Sequence, residues 1–203
     1  MSISAKLFSV LKVYDLSAQA QKDFIMARIK TIENTDMTER QRQIYEEIVS
    51  GPRRQVRGPL NIWLYRPELA DRAQRLGQYC RYDTSLDPRL SDLAILTTAR
   101  IWDAKFEWQA HVPHALSGGI DSLVIDSLGA DQTPNFASED EEIVYRVTQE
   151  INITRQLSDE TYDQVIKILG VEATVDLIGL LGYYALISMT IKAFNVPSIE
   201  DKS

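Results

Sequence analysis

The run Asp87–Gly119, DPRLSDLAILTTARIWDAKFEWQAHVPHALSGG, decides the fold. Asp87-Pro88 opens a helix. The aspartate supplies an acceptor at the N-cap, and the proline's fixed φ suits the first helical position, where its missing N–H is not needed. Leu90, Leu93, Ala94, Leu96 and Ile101 recur at helical spacing and predict an apolar stripe. A second helix is expected from about Asp103, closed by Gly118-Gly119. Helical residues turn by about 100° each, so Asp103, Glu107, His111 and His114 are expected on one face. That face holds the only two histidines of the chain. Glu107 and His111 stand four apart, close enough for their side chains to meet. A carboxylate against an imidazole can move a proton near neutral pH. Trp108 lies about 100° further round the helix, which suits a pocket wall better than a reacting group.

Working outward, Thr38 and Gln41 form a capping box for a helix with Ile44, Ile48 and Val49 on its apolar stripe, stopped by Gly51-Pro52. Pro67 opens PELADRAQRLGQYCRY as one helix. Ser138 and Glu141 read as a second capping box, Ser158 opens a helix closed by Gly170, and a last helix runs from about Glu172 to Phe194. No segment alternates long enough for a strand, so the fold class is all-α. TERQRQIYEEI (38–48) resembles SEDEEIVYRVT (138–148), and SDLAIL resembles VDLIGL, which suggests that three helices occur twice. Residues 1–30 read as an N-terminal helical extension, with a helix from Ser17 to about Ile29, and residues 31–203 as one domain.

Composition narrows the function. A 203-residue chain with 44% hydrophobic and 25% charged residues is long enough to bury a real core. A net charge of −7 argues against nucleic acid as a partner, because phosphate contacts need a basic surface. Cys80 is the one cysteine, which excludes an intrachain disulfide framework and a dithiol redox centre and fits a reducing, cytoplasmic setting. MSISAKLFSVLKVYDLSAQ shows no convincing cleavage site and reads as a non-signal. Leu177–Ile191 carries no charge but is shorter than the ~20 residues a span needs, so a buried helix is expected and no membrane.

PRRQVRGPLNIW (52–63) is the most basic stretch of this acidic chain. It is either a solvated turn or a loop in which Arg53 and Arg54, with Arg57 nearby, bind a carboxylate, since guanidinium groups suit planar anions. Glu107, His111 and His114 are donors enough for zinc or iron on paper, but their spacing matches no metal motif. Neither metal nor cofactor is expected.

The run Asp87-Pro88-Arg89-Leu90, Asp92-Leu93-Ala94-Ile95-Leu96, Ala99-Arg100, Glu107-Trp108-x-x-His111, Ala115 and Gly118 resembles the carboxymuconolactone decarboxylase family. That family shares the all-α fold of the alkyl hydroperoxidase D proteins. The resemblance spans about residues 26–197, through Met37–Ile44, Pro67–Gly77 and Gly182–Pro197. It implies cofactor-free decarboxylation of a small carboxylated, unsaturated lactone or ring, as in aromatic compound catabolism. His111 would be the donor and proton shuttle, Glu107 would set its tautomer or act as base, and Asp92 would be the second carboxylate. Trp108, His114, Arg53 and Arg54 would bind substrate. A homo-oligomer, trimer or hexamer, is implied as well. Hydroperoxidase members carry Cys-x-x-Cys-x-x-x-His, which places their cysteines on Ala104 and Glu107 and their relay Glu on Asp92. An antioxidant, peroxiredoxin-like activity is therefore the disfavoured alternative. A non-catalytic ligand-binding oligomer is the other.

Overall fold

A computed structural model describes residues 27–199. Within them lie eight helices and no strand: α1 (Glu39–Ser50), α2 (Pro59–Trp63), α3 (Pro67–Gln78), α4 (Pro88–Ile101), α5 (Lys105–Ser117), α6 (Ser122–Gly129), α7 (Glu139–Ile153) and α8 (Asp159–Phe194). The expected helix from Ser17 lies outside the described residues except for its end. There residues 27–30 are not helical, and the Arg28 N–H donates to the Phe194 carbonyl at 2.9 Å.

Local chemistry explains most boundaries. The Thr38 hydroxyl accepts from the Gln41 N–H and the Gln41 side chain returns to the Thr38 N–H, completing the box at α1. Asp87 accepts from the Arg89 N–H with Pro88 in the first turn of α4, and Asp121 caps α6 the same way. Ser158 accepts from the Thr161 N–H. Gly170, at φ 80°, breaks α8 where the closing glycine was expected, since a residue bearing a Cβ resists that backbone region.

Three local expectations fail. The Ser138 box does not form: the Ser138 hydroxyl donates to Asp140, whose carboxylate takes the Glu141 N–H at 2.8 Å. Arg89 explains why, since it ion-pairs with Asp140 and Glu141 and recruits both acids to join the start of α4 to the start of α7. Pro67 does open a helix, but after Gln78 it widens into a π turn over Tyr79–Asp83. The presumed loop after Gly58 contains α2.

The core is built round α4. Leu93 and Leu96, three apart, share one side of it and Ile95 points to another, and all three are fully buried, so α4 is covered by α5, α7 and α8 together. Each such side chain contributes about 2 kcal/mol of transfer free energy. Two polar groups at this core are paired: the Thr97 hydroxyl of α4 donates to the Leu93 carbonyl, and Trp102, just past its end, donates to Asn152 of α7 at 3.1 Å. One continuous apolar cluster runs from Met37 to Ile191. No helix among the described residues is long and apolar enough to cross a membrane.

The chain reverses between α4 and α5 over only Trp102–Ala104, with Asp103 at φ 48°. So short a link sends α5 back along α4 and sets an early residue of α4 opposite a late residue of α5. That reversal builds the site.

Candidate active site

Asp92 of α4 and His111 of α5 meet across this reversal, with Oδ1 2.8 Å from Nδ1. Glu107, one turn earlier on α5, brings Oε2 to 3.4 Å from Nε2 of the same ring. All three side chains are largely buried, His111 at 2% exposure. Each can therefore be read from its partners with little competition from water.

Arg81 is the fourth member and sits on the π turn after α3. Its Nη1 lies 2.7 Å from His111 Nε2 and 3.3 Å from Nδ1, the latter already facing Asp92. A nitrogen that close to both ring nitrogens lies over the face of the imidazole, while Asp92 Oδ1, at 2.8 Å, accepts from an Nδ1–H. Burial opposes the Arg81 cation, but the neighbouring Tyr184, Tyr82 and Asp92 outweigh it and hold Arg81 charged. Tyr184 of α8 also reaches Nε2, at 3.3 Å, with its ring edge-on to the imidazole. Burial raises the Tyr184 phenol well above its ordinary value and the Tyr183 phenol to about 12, so both are neutral hydroxyls at neutral pH.

These groups open into a cavity of about 390 Å³, lined in part by Arg53, Arg57, Arg81, Phe106, Glu107 and His114. Two glycines make room for it. Gly58, at φ 57°, lies where a Cβ would overlap the Phe106 ring, and a Cβ on Gly77 would overlap the Tyr183 hydroxyl and Arg53. Arg53 donates to the Tyr183 hydroxyl at 3.2 Å, and its Nε is buried without a partner. Arg57 lies over the Phe106 ring. Neither arginine ion-pairs with a carboxylate among the described residues, so both are open to an anion.

The structure gathers Asp92, Glu107, His111, His114 and Arg53 and separates the rest of the expected set. Trp108 does not line the cavity. It faces away, under Arg100 and beside Gly129, because it projects a third of a turn from Glu107. Arg54 is exposed at φ 61° and Arg57 takes its place, since the loop turns between them. Asp103 precedes α5 and ion-pairs with Lys192 at 2.8 Å, so it shares no face with His111. His114 stands at the exposed mouth, its ring 5.9 Å from that of His111. Burial, then the positive Arg81, lowers its pKa, which makes it a neutral hydrogen-bonding group at neutral pH.

Arg81 and Tyr184 gave no local signal: both belong to ordinary helical patterns and reach His111 only through tertiary packing. Tyr183 and Tyr184 are buried at 2% in the core of the single chain. Among the described residues no three His, Cys, Asp or Glu side chains are grouped to hold a metal ion.

No family model and no curated protein matches the chain. Among solved structures it is similar to the alkylhydroperoxidase AhpD core of an uncharacterized peroxidase-related protein from Ralstonia eutropha JMP134. The TM-score is 0.69 at 11% identity, covering 86% of this chain and 94% of that one. At such identity the likeness defines the fold, and the chain has the all-α AhpD-like fold.

Proposed function

We propose that the cavity round His111 is the active site of a cofactor-independent carboxy-lyase acting on a small carboxylated, unsaturated lactone or ring. One observation carries the reading: an Asp92–His111–Glu107 proton-handling set opens into a cavity with three arginines, in a chain whose net charge is −7. Arg53 and Arg57 hold the anionic substrate. The bond to the departing carboxylate breaks, CO2 leaves, and the electron pair spreads through the double bond into the lactone carbonyl. His111, once protonated on Nε2, and the Tyr184 hydroxyl donate to the developing oxyanion. The carbon then takes one proton through the His111–Glu107 pair, and solvent replaces it. Asp92 holds the imidazole in place throughout. His114 and Arg57 shape the mouth.

Purified protein incubated with 4-carboxymuconolactone and related unsaturated acids, followed by ultraviolet absorbance, tests this. Turnover that disappears in His111→Gln supports the reading, and turnover indifferent to that substitution removes it. An acid that binds and is recovered unchanged would favour a ligand-binding module instead.

The neighbour's description makes peroxide reduction the competing reading. It would rest on Cys80 alone, a buried thiol whose pKa is raised by burial and then by Asp176, whereas the thiolate is the reactive form. Peroxide consumption by the wild type that Cys80→Ala abolishes would establish it. For assembly, a homo-oligomer in the cytoplasm is part of the same proposal. Val171, Val175 and Met189 on α8 supply exposed apolar surface for it. Light scattering that shows only monomer at micromolar concentration would exclude it.

A further inference from the structure

We propose that the groove between the first half of α7 and the start of α8 is a binding site for a small ω-amino acid, a molecule with a carboxylate at one end of a short aliphatic chain and an ammonium group at the other. The groove is a cavity of about 320 Å³ that shares no lining residue with the cavity round His111. A space of that size suits a small ligand. Glu139, Glu142 and Arg146 of α7 and Lys167 of α8 bring two negative and two positive side chains to it. None of the four takes part in an ion pair among the described residues. Arg146 is the least satisfied of them. Its Nη2 donates to the neutral Gln164 side chain, and its Nε is buried with no partner. Nε and Nη2 form the edge of a guanidinium that a carboxylate grips with both oxygens. A carboxylate that displaces the Gln164 amide therefore fills the empty donor and replaces a neutral hydrogen bond by charge-assisted ones, which are about twice as strong.

The register of the two helices sets the length of the ligand. The link from Ile153 to Asp159 is short, so α7 and α8 run antiparallel, and the Arg146–Gln164 bond fixes how they pair. Residues before Arg146 on α7 thus lie opposite residues after Gln164 on α8, which sets Ile143 and Ile168 along the groove between its ends. At 1.5 Å of rise per residue, Glu142 stands about 6 Å and Glu139 about 10.5 Å from Arg146 along the helix axis. An ammonium and a carboxylate on the same carbon are too close together to reach both poles. Separated by a short run of methylenes they span the groove, and the methylenes cover the two isoleucines. Lys167, three residues past Gln164, carries its ammonium on a flexible stem and adds a second donor for the carboxylate. A simple anion would meet the unpaired acids and a simple cation the unpaired bases. A molecule with both charges at its ends satisfies the two poles at once. The site uses no residue of the proposed lyase centre, so the two readings stand or fall separately.

The test is a titration of the full-length protein with 6-aminohexanoate, read by calorimetry and by methyl NMR. Binding is expected at millimolar concentration or below, with the Ile143 and Ile168 methyl signals moving. Hexanoate and hexylamine, which keep one charge each, are expected to bind about tenfold more weakly or worse, as is 2-aminohexanoate, whose two charges share one carbon. Arg146→Met is expected to weaken 6-aminohexanoate by about tenfold or more, and the exposed Lys167→Met and the double variant Glu139→Gln/Glu142→Gln to weaken it as well. Circular dichroism of each variant separates lost binding from lost fold, and the surface positions of Lys167, Glu139 and Glu142 keep the test alive if Arg146→Met does not fold. Arg53→Met, in the other cavity, is expected to leave the affinity unchanged. The proposal is overturned if 6-aminohexanoate does not bind at millimolar concentration, or if it binds no better than hexanoate and hexylamine. It is equally overturned if the folded variants of this groove bind as wild type does, or if Arg53→Met is the variant that abolishes binding.

Discussion

His111 is oriented by what its neighbours are unable to do. Asp92 as a carboxylate cannot donate a hydrogen bond, so Nδ1 must, while Arg81 lies over the ring face. Of the two roles expected for Glu107, its place beside Nε2 suits the base, and Asp92, beside Nδ1, is the acid placed to set the tautomer in the proposed reaction. Asp92→Asn leaves the shape of the site nearly intact but removes the charge behind the imidazole. For the proposed lyase it is expected to lower kcat by about 100-fold, the lower end for loss of assisted proton transfer. Steady-state kinetics on a variant of unchanged circular dichroism checks this, and a rate within about twofold of wild type would take Asp92 out of the proton path.

Among the elements, α3 and its π turn carry most of what the pattern of apolar residues did not announce. A run of helical period was read as one helix, because the hydrogen bonds that distinguish α from π leave no trace in apolar spacing. Gly77 on α3 admits the Tyr183 hydroxyl and Arg53, where a methyl group would overlap both. Gly77→Ala is therefore expected to cost about 1–3 kcal/mol in denaturant unfolding and to displace Arg53 from the cavity. Unchanged stability and unchanged affinity for a carboxylate such as succinate would show that the two side chains yield freely. At α1 the capping box was legible because both partners lie within four residues of one another. Thr38→Ala is expected to lose about 1 kcal/mol, read from the same unfolding curves. The Ser138 box was equally legible and absent, since Arg89, remote in sequence, claims Asp140 and Glu141.

For the whole molecule, Asp176 joins parts of the fold that the sequence keeps far apart. It is buried on α8 and accepts from the Tyr79 hydroxyl at 2.6 Å and from the Ser85 N–H and hydroxyl at 2.8 Å each. Burial disfavours its anion, but these three donors outweigh burial and hold its pKa below the ordinary aspartate value. A depressed carboxylate pKa stabilises the fold above the unfolded value, near 4, and the contribution is lost as pH falls through the folded one. Asp176→Asn is expected to cost about 2 kcal/mol at neutral pH, with the gap to wild type closing in acid. Unfolding curves from neutral pH down to about pH 3 test this, and a gap independent of pH would mean that the anion is not what stabilises. The suggested repeat pairs Asp92 with Asp176, yet one holds a histidine and the other a tyrosine and a serine.

The amino-acid sequence by itself determined the all-α class, most helix boundaries and the Glu107–His111 pair. Each follows from residues within about a turn of one another, where spacing dictates geometry. Asp92 was reachable through the family resemblance. Tertiary structure alone decided that Arg81 and Tyr184 close on His111, that Arg57 replaces Arg54, and that Trp108 and Asp103 fall outside the cavity. Those outcomes depend on how α3, α5, α8 and the 51–58 loop pack, which no local spacing encodes.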